Sequence, residues 1–114
     1  MHPFTLKNNE GALFFSPNDI VRLQGSSNYT LIFFANKEKI LTSKVLHVYE
    51  TILASAGFIR IHKTHLVNAH CITKIDSLGN VYLSDDTIVS IARRRRKEVL
   101  LQLKQMRDHM TSAA

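Results

Sequence analysis

Three polar segments of this 114-residue chain carry side chains suited to gripping a polyanion. The first is Gln24 to Tyr29, with Ser27 and Asn28 inside it. The second is His62-Lys63-Thr64-His65, set between two apolar stretches. The third is Ile91-Ala92 followed by Arg93-Arg94-Arg95-Arg96 and Lys97. Each offers donors for phosphate oxygens or base edges. Asn pairs bidentately with adenine, Lys and Arg donate to guanine, and Arg does so with two parallel bonds. Any one of these segments, alone, also reads as a solvated connection.

Other chemistry is poorly provided for. His62, His65, His70 and Cys71 lie close together in sequence, a grouping that invites a zinc reading. If residues 58–68 are extended, however, side-chain alternation sends His62 and His65 to opposite faces. There is also no C-x-x-C pair to complete a structural site, so no metal site and no cofactor are expected. Cys71 beside His70 resembles a nucleophile with its base, but neighbours along a strand face apart. Asp85-Asp86 before Thr87 reads as a turn rather than as paired catalytic carboxylates. The chain has no glycine-rich phosphate loop, no H-E-x-x-H and no G-x-S-x-G. The expectation is a protein that binds rather than catalyses, without a small-molecule substrate.

The totals agree. At 45% hydrophobic residues the chain can build a core, and disorder is excluded. Its length predicts one domain over residues 1–114. No apolar run approaches bilayer length, and the N-terminal residues do not form a signal peptide, so no membrane contact and a cytoplasmic location are expected. The single Cys71 forbids an internal disulfide and fits a reducing compartment. The net charge of +6 points to a polyanionic partner. Charges nearly cancel over residues 1–59, so the excess lies in the second half, above all at Arg93–Lys97.

These segments need elements to position them. Leu13–Phe15, Ile20–Leu23, Tyr29–Ala35 and Lys39–Thr42 read as strands, the last two as a hairpin about Asn36-Lys37-Glu38. Val45, Val48, Tyr49, Ile52, Leu53 and Ala56 recur at helical spacing. They predict a helix over about 43–56, with Ser43 as N-cap and Gly57 as the closing glycine. Phe58–His62, Leu66–Asn68, Cys71–Ile75, Val81–Ser84 and Ile88–Ile91 follow as strands. Their turns lie at Asp76–Asn80 and Asp85-Asp86. A closing helix over about 94–106 places Val99, Leu100, Leu103 and Met106 on one side. Cations at its start oppose the helix dipole, which weakens a purely structural reason for the arginine run. The fold expected is mainly β and barrel-like or sandwich-like, with one internal and one terminal helix.

The segment Gly57-Phe58-Ile59-Arg60-Ile61-His62-Lys63-Thr64-His65-Leu66-Val67-Asn68 resembles the signature of the LytTR family, in which His-Arg/Lys-Ser/Thr-aromatic-Leu-Val-Asn follows a helix and a Phe-containing strand. Asn18-Asp19-Ile20-Val21, Asn28-Tyr29-Thr30, Ile72-Thr73-Lys74-Ile75 and the basic segment from Ile91 resemble its other parts in order and spacing. The likeness covers about residues 12–104. It departs at His65, where an aromatic residue is usual, at Ile91-Ala92, where a serine is usual, and at Lys63, where Arg is frequent.

The resemblance implies short β-sheets stacked into an elongated, barrel-like body that reads duplex DNA with loops rather than with a recognition helix. It implies a bacterial transcriptional regulator or response-regulator output domain. Such a module enters successive major grooves from one side, bends the duplex, and binds paired direct repeats as two copies. Asn28, Tyr29, Lys63 and Arg93 then fall at or beside base-reading positions. Ser27, His62, Thr64, Arg94, Arg95, Arg96 and Lys97 become backbone contacts. The stretch ahead of the unit is too short for a phosphoreceiver domain, so none is expected within the chain. Two other readings stay open. One is an RNA- or single-strand-binding β-barrel stacking bases on Tyr29, Tyr82 or Phe34. The other is a protein-interaction module docking through the basic helix.

Overall fold

The computed structural model describes residues 4–8 and 11–113, with side chains over 15–107. Strands dominate. Strands β1 (Phe4–Asn8) and β2 (Gly11–Phe15) pair as a hairpin. Strands β3 (Ile20–Ser26), β4 (Tyr29–Phe34), β5 (Lys39–Thr42), β6 (Phe58–His62) and β7 (His65–Asn68) form a five-stranded antiparallel sheet in the order β5-β4-β3-β7-β6. Strands β8 (Ile72–Ile75), β9 (Asn80–Leu83) and β10 (Ile88–Ser90) make a three-stranded antiparallel sheet. Among the described residues, α-helices α1 (Leu46–Leu53) and α2 (Arg96–Ala113) complete the fold. The expected stack of short sheets is present, in a body measuring 42 × 33 × 24 Å. Among the described residues no sheet closes into a barrel.

The five-stranded sheet is covered on both faces, and its central strands alternate accordingly. Ile20, Leu23, Ile32, Phe34, Phe58 and Leu66 pack with Leu46, Tyr49, Leu53 and Ala56 of the α1 region. Val21, Ile59, Ile61 and Val67 point the other way, onto Val81, Leu83, Val89, Ile91 and Val99. A register shift between Ile20 and Arg22 lets Ile20 and Leu23, three residues apart, share one face. The second core is completed by Leu103 and Met106 of α2 packing against it.

The first helix differs from its sequence reading in two ways. It begins at Leu46 with Val45 at the N-cap and no side-chain cap bond, so Ser43 does not cap it. Residues 43–45 instead form the link from β5. The buried Thr30 hydroxyl donates to the Lys44 carbonyl at 2.7 Å, and the Tyr49 hydroxyl donates to Thr42 Oγ1 at 2.7 Å. The buried stripe is Leu46, Tyr49, Leu53 and Ala56, leaving Val45 and Ile52 exposed. The sheet face decides the helix's rotation, and it selects a stripe offset from the one that residue types alone outline. Gly57 closes the helical region at φ 86, as its position foretold. In α2, Val99 is buried while Leu100 is exposed, and a 3-10 turn at Arg93–Arg95 precedes the helix.

Candidate nucleic-acid interface

Antiparallel pairing brings the polar segments to one edge of the five-stranded sheet. Ser26 pairs with Tyr29, so Ser27 and Asn28 form the tip of the β3–β4 hairpin, with Ser27 at φ 41. His62 pairs with His65, so Lys63 and Thr64 form the tip of the β6–β7 hairpin. Strand β3 lies beside both β4 and β7, with Gln24 opposite His65. The Gly25 amide donates to the Thr64 carbonyl at 2.9 Å and joins the two tips. Their centres are two strand spacings apart, about 10 Å. Gly25 also lets α1 close in, since a Cβ there would lie 3.0 Å from Leu46 Cβ.

The third segment reaches the same edge from the side. The Ala92 amide donates to the Ile61 carbonyl at 2.8 Å, one residue below His62, and the Ile91 amide donates to the Gly79 carbonyl at 2.9 Å. Arg93 and Arg94 follow at once and are exposed. Arg95 and Arg96 are half-buried, and Lys97 is exposed. The Arg96 guanidinium donates to the Ser77 carbonyl and lies over Gly79, where a Cβ would approach Arg96 Cζ to 3.3 Å. It therefore braces the β8–β9 turn. That turn is itself organised by Asp76, whose carboxylate accepts from the Leu78 and Asn80 amides, the Asn80 side chain and the Tyr82 hydroxyl. The Asn80 contacts lead in holding its pKa below the usual carboxylate range.

Within the second tip, Lys63 is exposed and Thr64 half-buried. The Thr64 amide donates to His62 Nδ1 at 3.1 Å, and Thr64 Oγ1 lies 2.9 Å from the same nitrogen. A backbone N–H can only donate, so this Nδ1 carries no proton and the Thr64 hydroxyl donates to it as well. The Thr64 hydrogen is thus engaged within the turn. A neutral His62 ring then carries its proton on Nε2.

The histidines do not sit as strand alternation through residues 58–68 foretold. The chain reverses at Lys63-Thr64, so His62 and His65 face each other across the hairpin, with ring centroids 5.4 Å apart. Burial first, then His62 and Arg22, holds the His65 pKa down from 6.5 to about 4. His70 and Cys71 lie in a 3-10 turn rather than in a strand. Among the described residues no group of three or more His, Cys, Asp or Glu side chains is placed to hold a metal ion.

Beneath the tips runs a cleft of about 320 Å³ lined by Arg22, Gln24, His62, His65 and residues 87–90. Arg22, only 9% exposed, stacks on Phe33 at 3.7 Å, donates to Gln24, and faces Asp85 at 3.9 Å across the two sheets. Burial lowers its pKa, and the Asp85 charge counters that shift.

The aromatic residues that could stack single-stranded bases are scattered. Phe34 is 7% exposed and belongs to the core, while the Tyr82 hydroxyl is bonded to Asp76. Tyr29, at the first tip, is 51% exposed. Among the described helices, none is long and apolar enough to cross a membrane.

Sequence reasoning overlooked Arg60. It stands in the apolar run Phe58–Ile61, where alternation alone marks it as an outward-facing strand residue. Its contacts with the Lys63 turn appear only once the hairpin is folded.

The profile of the LytTr DNA-binding domain matches residues 10–104. The heme-containing CO-sensing transcriptional regulator RcoM 2 of Paraburkholderia xenovorans (strain LB400) is 33% identical over 86 residues, covering 71% of this chain and 32% of that protein. The chain thus spans about a third of that relative's length. Among solved structures, a LytTr DNA-binding domain from Bacillus cereus superposes with a TM-score of 0.70 at 19% identity, over 90% of this chain and 96% of that one.

Proposed function

The chain belongs to the LytTr DNA-binding domain family, and from that premise we propose that it binds duplex DNA sequence-specifically through the edge shared by its two hairpin tips and the arginine turn. The observation that carries the proposal is the convergence of exposed Lys63, exposed Ser27-Asn28 and exposed Arg93-Arg94 at one end of the sheet. Lys63, Asn28, Tyr29 and Arg93 are the base-reading residues. Each tip is a two-stranded ribbon, the kind of element that a major groove about 12 Å wide admits. Ser27, His62 through Nε2, Arg94, Arg95 and Lys97 approach the phosphates, with Arg96 contributing charge from its brace and Thr64, its donors engaged by His62, shaping the turn instead. Phosphate contacts set affinity and its salt dependence, and base contacts set preference. The chain acts as the output of a transcriptional regulator, two copies binding paired direct repeats and bending the duplex.

The test is competition binding with purified protein. Duplex should win over single strands of the same sequence, and raising salt should weaken binding steeply. Lys63→Ala and Arg93→Ala should each reduce discrimination between a selected and a random duplex by about 1–3 kcal/mol. Preference for single strands would refute the proposal and favour base stacking on Tyr29.

A further inference from the structure

We propose that Arg60 is a positioning residue for base reading: it fixes the backbone from which Lys63 projects. The inference rests on the reading of Lys63 given above.

A two-residue hairpin loop normally relies on backbone conformations with positive φ, which match the twist of the strands it joins. Among the described residues, positive φ at non-glycine positions occurs at Ser27, Lys37 and Asp86, and not at Lys63 or Thr64. The β6–β7 pairing also shifts register between Arg60 and His62, so the arm leading into the turn is irregular. Such a turn lacks the usual backbone solution and needs other bonds to hold it.

The Arg60 guanidinium supplies them. Its Nε donates to the His62 carbonyl at 3.0 Å, and one terminal nitrogen donates to the Lys63 carbonyl. The other terminal nitrogen donates to Glu50 on α1 at 2.9 Å. The side chain is only 16% exposed, and the fork spans the turn and the helix. One planar group therefore ties two successive turn carbonyls to a buried-face helix. A lysine ammonium is a compact donor on a flexible stem and cannot reproduce this bridge. With Thr64 fastened to His62 and to Gly25, both residues of the tip are anchored while the Lys63 side chain is left exposed. Preorganisation of this kind favours selective over general binding, because a wandering Lys63 still finds phosphates but no longer a fixed base edge.

The experiment compares wild type, Arg60→Lys, Glu50→Gln, Lys63→Ala and the Arg60→Lys/Lys63→Ala double variant. Each is measured on a duplex selected by the wild-type chain and on a random duplex, across a salt series. Arg60→Lys keeps the charge, so the salt slope and the random-duplex affinity should hold. The selected-to-random ratio should fall by about tenfold. In the Lys63→Ala background the same substitution should have almost no further effect on the ratio. If Arg60→Lys does not fold by thermal unfolding, Glu50→Gln replaces it, and its ratio should fall by about two- to threefold. An unchanged ratio in the folded variant, or an equal loss with and without Lys63, overturns the positioning role. A ratio unmoved by Lys63→Ala overturns the base-reading assignment itself, a result distinct from failure of Arg60 alone.

Discussion

Acidification should destabilise the protein through His65, and the size of the effect follows from its surroundings. Its Nδ1 is buried without a hydrogen-bond partner, and the His62 ring and the Arg22 guanidinium line the same cleft beside it. These hold its pKa at about 4 in the fold, against 6.5 for a free imidazole. The folded state therefore binds a proton less readily than the unfolded chain. The stabilisation is full above pH 6.5 and is lost as the pH falls toward about 4. Integrated from pH 7 to pH 5, above the range in which carboxylates titrate, this shift corresponds to about 2 kcal/mol. The ring borders an open cleft, so solvent screening reduces the expected loss to about 1 kcal/mol. Urea unfolding at pH 7, 6 and 5 of wild type and His65→Phe measures it. The aromatic replacement fills similar space without titrating. Wild type should lose about 1 kcal/mol more than the variant over that interval. Parallel pH profiles for the two proteins would refute the reasoning.

Three further outcomes are expected. Gly79→Ala should destabilise by about 1–2 kcal/mol in urea unfolding, because Gly79 has φ 85 and Arg96 packs against it. Asn68→Ala should cost about 2 kcal/mol by the same measurement, since the buried Asn68 donates to the Ile20 carbonyl and accepts from the His70 amide. Arg94→Gln, at an exposed position, should lower the slope of log affinity against log salt by about 0.9 with little change in sequence preference.

Much of the architecture was legible because the strands obey simple patterns. Apolar β-branched and aromatic runs separated by Asn-Lys-Glu, Asp-to-Asn and Asp-Asp turns marked β4, β5, β9 and β10 with nearly correct ends. The polar segments at Asn28, Lys63 and Arg93 stood out by composition, and the LytTR resemblance tied them together. What escaped was set by tertiary geometry. Ser43 is a good capping type, yet the bond from Thr30 to Lys44 assigns its segment to the linker. His62 and His65 looked divergent because a two-residue reversal between them leaves no glycine or proline as a signal. Arg60 and Arg96 are arginines spent on carbonyls, which no spacing rule distinguishes from arginines left for phosphate. The arginine run is in fact mixed, with Arg93 and Arg94 open and Arg96 engaged with Ser77.

The most direct test of the central claim is selection from a random duplex library, run in parallel with wild type and Lys63→Ala at one salt concentration. Wild type should enrich a defined motif, and the variant should return the same library with information lost at specific positions of that motif. Enrichment of identical motifs by the two proteins, or of none by wild type, would contradict the account.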